Sequence, residues 1–158
     1  MIQDILQKVE HIPVLYQFIA VFAISFIPFL EAHVAVPVGV LLKLPFIPIA
    51  VLAIFGNWLS VLTVIISSSW IKSRFFNDRS DSFVHRRFQK GKVYFNRYGV
   101  PGISLLGPII GANHIGALIC MMANANKKNI IIWQTISIIL WAVGSGLLIH
   151  FGREYLLR

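Results

Sequence analysis

Apolar residues run through this chain in long stretches cut by short polar breaks, and the spacing of the breaks predicts the elements. Residues 1–11 are polar with Ile2, Ile5, Leu6 and Val9 at helical spacing, which predicts a short interfacial helix. Residues 12–29 are apolar and, at about 1.5 Å per residue, long enough to span a bilayer. From Phe26 to Leu42 the apolar character continues, interrupted by Pro28, Pro37 and Gly39. Each proline removes a backbone donor and disfavours a helical residue before it, which predicts a broken segment in place of one helix. Lys43 marks the return to an interface, and residues 44–71 then form a long apolar run. Pro45 and Pro48 stand at its start, where a helix tolerates proline best.

Residues 72–99 are of another kind, with eight Lys or Arg, two Asp and interleaved aromatics such as Phe88, Tyr94 and Tyr98. That mixture fits an amphipathic helix over 82–98, lying in the interface with its cations towards anionic headgroups; a plain cytoplasmic connector is the other reading. Residues 100–125 are apolar again but carry Pro101, Gly102, Gly107, Pro108, Gly111, Asn113, His114 and Gly116. Such a density of breakers argues against a plain helix through the first two thirds. A polar break at 126–129 precedes a last spanning helix over 130–151, where Gly144 and Gly146 allow close packing.

Each half of the chain thus pairs an interrupted apolar segment with an uninterrupted one, the pattern of binding sites between inverted repeats. The expected fold is an all-α integral membrane protein with three full transmembrane helices and two opposed re-entrant hairpins as an inverted repeat. It forms a single domain, with residues 1–71 as first repeat, 72–99 as a basic cytoplasmic segment and 100–158 as second repeat. The positive-inside rule puts 72–99 in the cytoplasm, and Lys127 and Lys128 join it if 100–125 enters and returns. The amino terminus is then inside and the carboxyl terminus outside. If 100–125 is a fourth span, the lysine pair lies outside and the carboxyl terminus inside.

Composition narrows the class. With 57% hydrophobic and 13% charged residues, the chain reads as a multi-pass protein of the cell membrane. Fourteen Lys and Arg against six Asp and Glu would suit nucleic acid, but most of this charge lies in one loop between apolar segments, so anionic lipid headgroups are the expected partner. Cys120 is the single cysteine, which excludes an intramolecular disulfide and a cysteine-based metal site. The amino-terminal residues lack a signal peptide's cationic region and cleavage site, so the first apolar segment is expected in the mature protein.

Of the six acidic residues, only Glu31 lies within apolar sequence, two positions before His33. A carboxylate at membrane depth costs about 2.5–3.5 kcal/mol on insertion scales, so such acids line polar cavities or have partners. The bland alternative is a solvated residue just beyond the first span. An intramembrane carboxylate can hold a proton or a cation in turn, which suits a secondary transporter exchanging protons for small cationic or amphipathic compounds, with His33 and His114 as candidate relays. Asn57, in the strip Gly56, Asn57, Ser60 and Thr63, reads first as helix packing. An enzyme is disfavoured, because no nucleophile motif, metal-ligand spacing or phosphate-binding glycine loop occurs; no cofactor or metal is expected. So few spans would need a second copy to enclose a path, so a homodimer is expected.

Two stretches carry a family resemblance. IPFLEAHVAVPVGV resembles the first signature of the small multi-drug export family, a glutamate followed six positions later by proline, which Glu31 and Pro37 match. FNRYGVPGISLLGPIIGANHIGALIC resembles the second, on which Arg97, Gly99, Pro108, Gly111, Gly116 and Ala117 fall. The chain departs from the family at His33, where arginine is frequent, and at Ile110, Asn113 and His114. More distantly, it is similar to the DedA membrane proteins, a resemblance that implies translocation of a phosphorylated lipid carrier. Those proteins hold arginines inside the second hairpin, and none occurs between Val100 and Ala125. If a lipid phosphate binds, it is expected on the side of the second hairpin, flanked by Arg97 and Lys127, with Asn113 and His114 as hydrogen-bond donors.

Overall fold

A computed structural model describes residues 12–75, 83–110 and 112–156; the expected helix over 1–11 and the breaker Gly111 lie outside the described residues. Among the described residues the protein is all-helical, with α1 (Val14–Phe26), α2 (Glu31–Leu41), α3 (Phe46–Phe75), α4 (Phe83–Ile110), α5 (Asn113–Met122) and α6 (Lys127–Leu156). Two stretches, Phe46–Trp70 in α3 and Lys127–Gly152 in α6, are long and apolar enough to cross a membrane.

Helix α1 falls short of the span expected over 12–29. It stops after 13 residues, about 20 Å of helix against roughly 30 Å of hydrocarbon. Pro28 ends it: Ile27, the residue before the proline, is extended at φ −76° and ψ 126°, as the proline ring requires. The chain turns through residues 27–30, closed by Leu30 and Glu31 N–H groups on the Ile27 carbonyl at 3.2 and 3.1 Å. Helices α1 and α2 pack on each other as a hairpin, and α4 and α5 do the same.

Most of the expected breakers do not break a helix. Pro37 and Gly39 lie inside α2, and Pro101, Gly107 and Pro108 lie inside α4. Of the six described positions, Pro28 included, only Pro28 stands between two helices. The kink in α4 falls instead at Gly99, whose φ 65° and ψ −164° are non-helical. Glycine reaches that region without a Cβ clash, and Pro101 follows in the first turn of the renewed helix, where its missing N–H costs little. The helix expected over 82–98 is present as the first part of α4.

Both short second arms end in the same way. After α2, the Leu44 N–H bonds the Gly39 carbonyl at 3.1 Å and the Lys43 N–H bonds that of Val40 at 3.0 Å, with Lys43 at φ 60°. After α5, Ala125 bonds Cys120 at 3.0 Å and Asn124 bonds Met121 at 3.1 Å, with Asn124 at φ 56°. Each is a Schellman motif, which satisfies carbonyls that the helix end leaves unpaired. The two copies lie 81 residues apart, as do the starts (46 and 127) and ends (75 and 156) of the 30-residue helices that follow.

The chain divides into two compact units, the first comprising Met1–Leu59 with Ile138–Arg158 and the second Ser60–Ser137. The division runs through α3 and α6 and not at the sequence repeat boundaries 71 and 99. In the first unit Val21, Ala32, Ala35, Val36, Ile49 and Ala53 form the core. In the second, Val61, Ile65, Ile103, Ala117, Ile119 and Ile130 do so. Large apolar side chains such as Ile47, Ile66 and Trp70 on α3 and Leu148 on α6 are exposed, a surface suited to lipid.

Of the two glycines of α6 expected to pack closely, Gly146 does and Gly144 does not. A Cβ on Gly146 would lie 2.5 Å from Val36 Cγ1 and 2.7 Å from a Phe46 ring carbon, whereas one on Gly144 would meet nothing within 4 Å. Gly146→Ala is therefore expected to cost about 1–3 kcal/mol through overpacking, read as a fall in melting temperature in detergent. Gly144→Ala should leave stability unchanged or raise it by up to about 1 kcal/mol.

Candidate functional site

In the first unit the site is built on the turn between α1 and α2. Glu31 opens α2 and is 0% exposed, the one charged residue among the described residues that is fully buried. The first turn of a helix favours a carboxylate, because its N–H groups point out of the end and carry partial positive charge. Glu31 also has a left-handed backbone at φ 53°, and Phe29, two residues earlier, has φ 74°. Neither is a glycine, and each such conformation costs about 1–3 kcal/mol. Strain held at a buried acid is the kind that clusters at binding sites.

His33 stands beside that acid. Its Nδ1 lies 3.8 Å from Glu31 Oε2, and its side chain is 21% exposed against 0% for the glutamate. Residues two apart do not face each other on a regular helix, so the approach depends on the reach of the two side chains at the helix start. The contact is an ion pair when the imidazole is protonated, and 3.8 Å is too long for a hydrogen bond. Other buried polar side chains of this unit are Gln17, whose Nε2 donates to the Ile12 carbonyl at 2.9 Å, Ser25, whose hydroxyl donates to the Phe22 carbonyl at 2.7 Å, and Asn57. Asn57 is 1% exposed and its Oδ1 accepts no hydrogen bond.

The second unit gathers buried polar groups, with no acid among them in the described residues. Asn113 and His114 occupy the first turn of α5 and are both buried. The His114 Nε2 is 2.7 Å from the Ser60 hydroxyl of α3. The Ser137 hydroxyl of α6 donates to the Ser104 carbonyl of α4 at 2.7 Å and lies 3.4 Å from Asn113 Oδ1. Gln134, one turn before Ser137, is 1% exposed. Arg97 is not brought to this group: it is exposed, with its guanidinium 5.3 Å from the centre of the Tyr98 ring. Lys127 is exposed as well.

Glu31 with His33, and Asn113 with His114, were legible in the sequence; Ser104, Gln134 and Ser137 were not. The available signal was Gln134 itself, an amide within the apolar run from Ile130 to Ile139. No group of three His, Cys, Asp or Glu that could hold a metal occurs among the described residues.

No curated protein and no solved structure matches the chain. The model of one family, described as "Putative small multi-drug export protein", matches residues 31–143, from Glu31 at the first turn to Val143 in α6. That match covers more than two thirds of the 158 residues, and the chain belongs to the small multi-drug export family.

Proposed function

We propose that this protein is a secondary transporter that exports small cationic or amphipathic compounds in exchange for protons, with Glu31 as the shared site. The observation that carries this reading is the burial of Glu31 in a strained turn, with a titratable imidazole 3.8 Å away. A carboxylate in apolar surroundings is costly without a proton or a cation. Protonation of Glu31 and arrival of a cationic substrate are then alternatives, and that exclusion couples the two fluxes. His33 holds the ion pair while protonated and releases the carboxylate when it loses its proton. Family membership supports export. Translocation of a phosphorylated lipid carrier has less support, because no lysine or arginine is buried with Asn113 and His114 among the described residues and Arg97 is exposed.

In the bilayer, we place α3 and α6 as the two spans and the α1–α2 and α4–α5 pairs as re-entrant hairpins in inverted-repeat fashion. Support comes from the arms, which at 13, 11 and 10 residues for α1, α2 and α5 are each too short to cross about 30 Å. The packing of α1 on α2 supports taking α1 as a hairpin arm, and this reading puts two spans in place of three and the described amino-terminal end on the side of Lys43. The basic segment then lies in the cytoplasm, and the working unit is a homodimer.

Glu31→Gln is expected to abolish substrate-driven proton flux in reconstituted vesicles while leaving the melting temperature near that of wild type, because amide and carboxyl have the same size and both are polar. Equal flux by the two proteins across pH would remove Glu31 from the coupling.

Topology is checked with single cysteines in a Cys120→Ala background and an impermeant thiol reagent. Ile12→Cys and Lys43→Cys should label from outside, and Lys92→Cys and Lys128→Cys from inside. Labelling of positions 12 and 43 from opposite faces would restore α1 as a span.

A further inference from the structure

The first part of α4, residues 83–98, carries five Lys or Arg and no Asp or Glu, and the break at Gly99 sets it apart from the rest of the helix. An amphipathic helix at a membrane surface ordinarily lays its apolar side into the bilayer. Here the side that carries Gly91 is taken by the protein: Gly91 is buried, and a Cβ on it would overlap the Ile119 side chain of α5. At about 100° per residue, the positions of Arg86, Lys90, Val93 and Arg97 form one stripe along the opposite side of the helix. Val93 and Arg97 are exposed on it. Tyr94 and Tyr98 are exposed as well, with their rings stacked at a centroid distance of 6.4 Å, and the Arg97 guanidinium lies 5.3 Å from the centre of the Tyr98 ring.

We propose that this stripe docks on the anionic phospholipid headgroups of the surrounding bilayer, with Arg97 on a headgroup phosphate and the Tyr94–Tyr98 pair at headgroup depth. Charge selects the occupant, because a segment with five cations and no acid attracts an anionic surface. The other exposed groups agree with it. A valine and two tyrosines among cations suit the zone where apolar and polar contacts are both on offer, whereas bulk water would satisfy the cations alone. Arginine presents a planar fork of donors that matches a phosphate, and the Tyr98 ring beside it attracts the guanidinium through its π face. A lipid surface is preferred to a soluble polyanion because α3, which leads into this segment, and α6 are long and apolar enough to cross a membrane. The docking is independent of what the protein exports and of proton coupling.

The test uses the full chain in phosphatidylcholine vesicles, with a bimane fluorophore on Val93→Cys in the Cys120→Ala background. Phosphatidylglycerol or phosphatidylcholine carrying a nitroxide near the headgroup is titrated in, and quenching reports how often each lipid sits at the stripe. The anionic lipid should reach half-quenching at a lower mole fraction than the zwitterionic one. Salt at 1 M, where the screening length falls to about 3 Å, should remove that preference. Arg97→Gln should reduce it by about fivefold, the factor that corresponds to about 1 kcal/mol for one cation at a lipid surface. Lys92→Gln should reduce it much less, since Lys92 is exposed but off the stripe. The lipid and salt comparisons need neither variant, so they decide the matter if a variant does not fold. Four results would each overturn the proposal: equal quenching by the two lipids, a preference that survives high salt, equal losses in the Lys92 and Arg97 variants, or no quenching by either lipid. The third would mean that net charge acts without a defined face, and the last that water or a soluble partner covers the stripe.

Discussion

Where α2 and α5 end, the last carbonyls of each helix have no donor further along the helix, and leaving them unmet would cost free energy. The two Schellman motifs remove that cost by turning the chain back on itself through Lys43 and Asn124. Everything downstream depends on those turns, because α3 and α6 begin three residues after Lys43 and Asn124 and inherit their direction. The same constraint explains why helix persists through Pro37 and Pro108: a helix that loses one bond at a proline still satisfies more backbone groups than a loop would. The break between α1 and α2 falls where a proline and left-handed residues act together, at Pro28, Phe29 and Glu31.

A second constraint is the burial of charge. Glu31 carries the one formal charge that is fully buried among the described residues, and it sits where a helix end offers partial positive charge in place of water. The strained backbone belongs to the same place, since the left-handed residues Phe29 and Glu31 bring the chain from α1 into the start of α2, where the carboxylate lies 3.8 Å from His33. Proton, imidazolium and cationic ligand can each neutralise that carboxylate. Export in exchange for protons needs only that they compete.

One backbone plan occurs twice at a spacing of 81 residues, yet the chemistry differs between the copies. Glu31 corresponds to Ala112, His33 to His114 and Ala53 to Gln134. The first copy therefore keeps an acid with a nearby imidazole, and the second keeps amides, hydroxyls and an imidazole bound to Ser60. A charged group and a neutral hydrogen-bonding group need different surroundings, and two copies of one frame provide them without altering the fold.

Much of this was legible from residues alone. Helical class and the two long apolar helices follow from hydrophobicity at helical length, and Glu31 stood out because an acid in apolar sequence is costly wherever the fold puts it. Asn113 and His114 stood out for the same reason in weaker form. Tertiary structure decided the rest. A proline count could not tell a helix that tolerates Pro37 from one that stops at Pro28, because the outcome depends on what the neighbouring backbone packs against. Nor could it show that α1 packs on α2, since an apolar run reads alike whatever it packs against. Ser104, Gln134 and Ser137 were silent in the sequence because single polar residues in spanning helices are common; their meeting depends on which faces of α4 and α6 are pressed together, and packing alone fixes that.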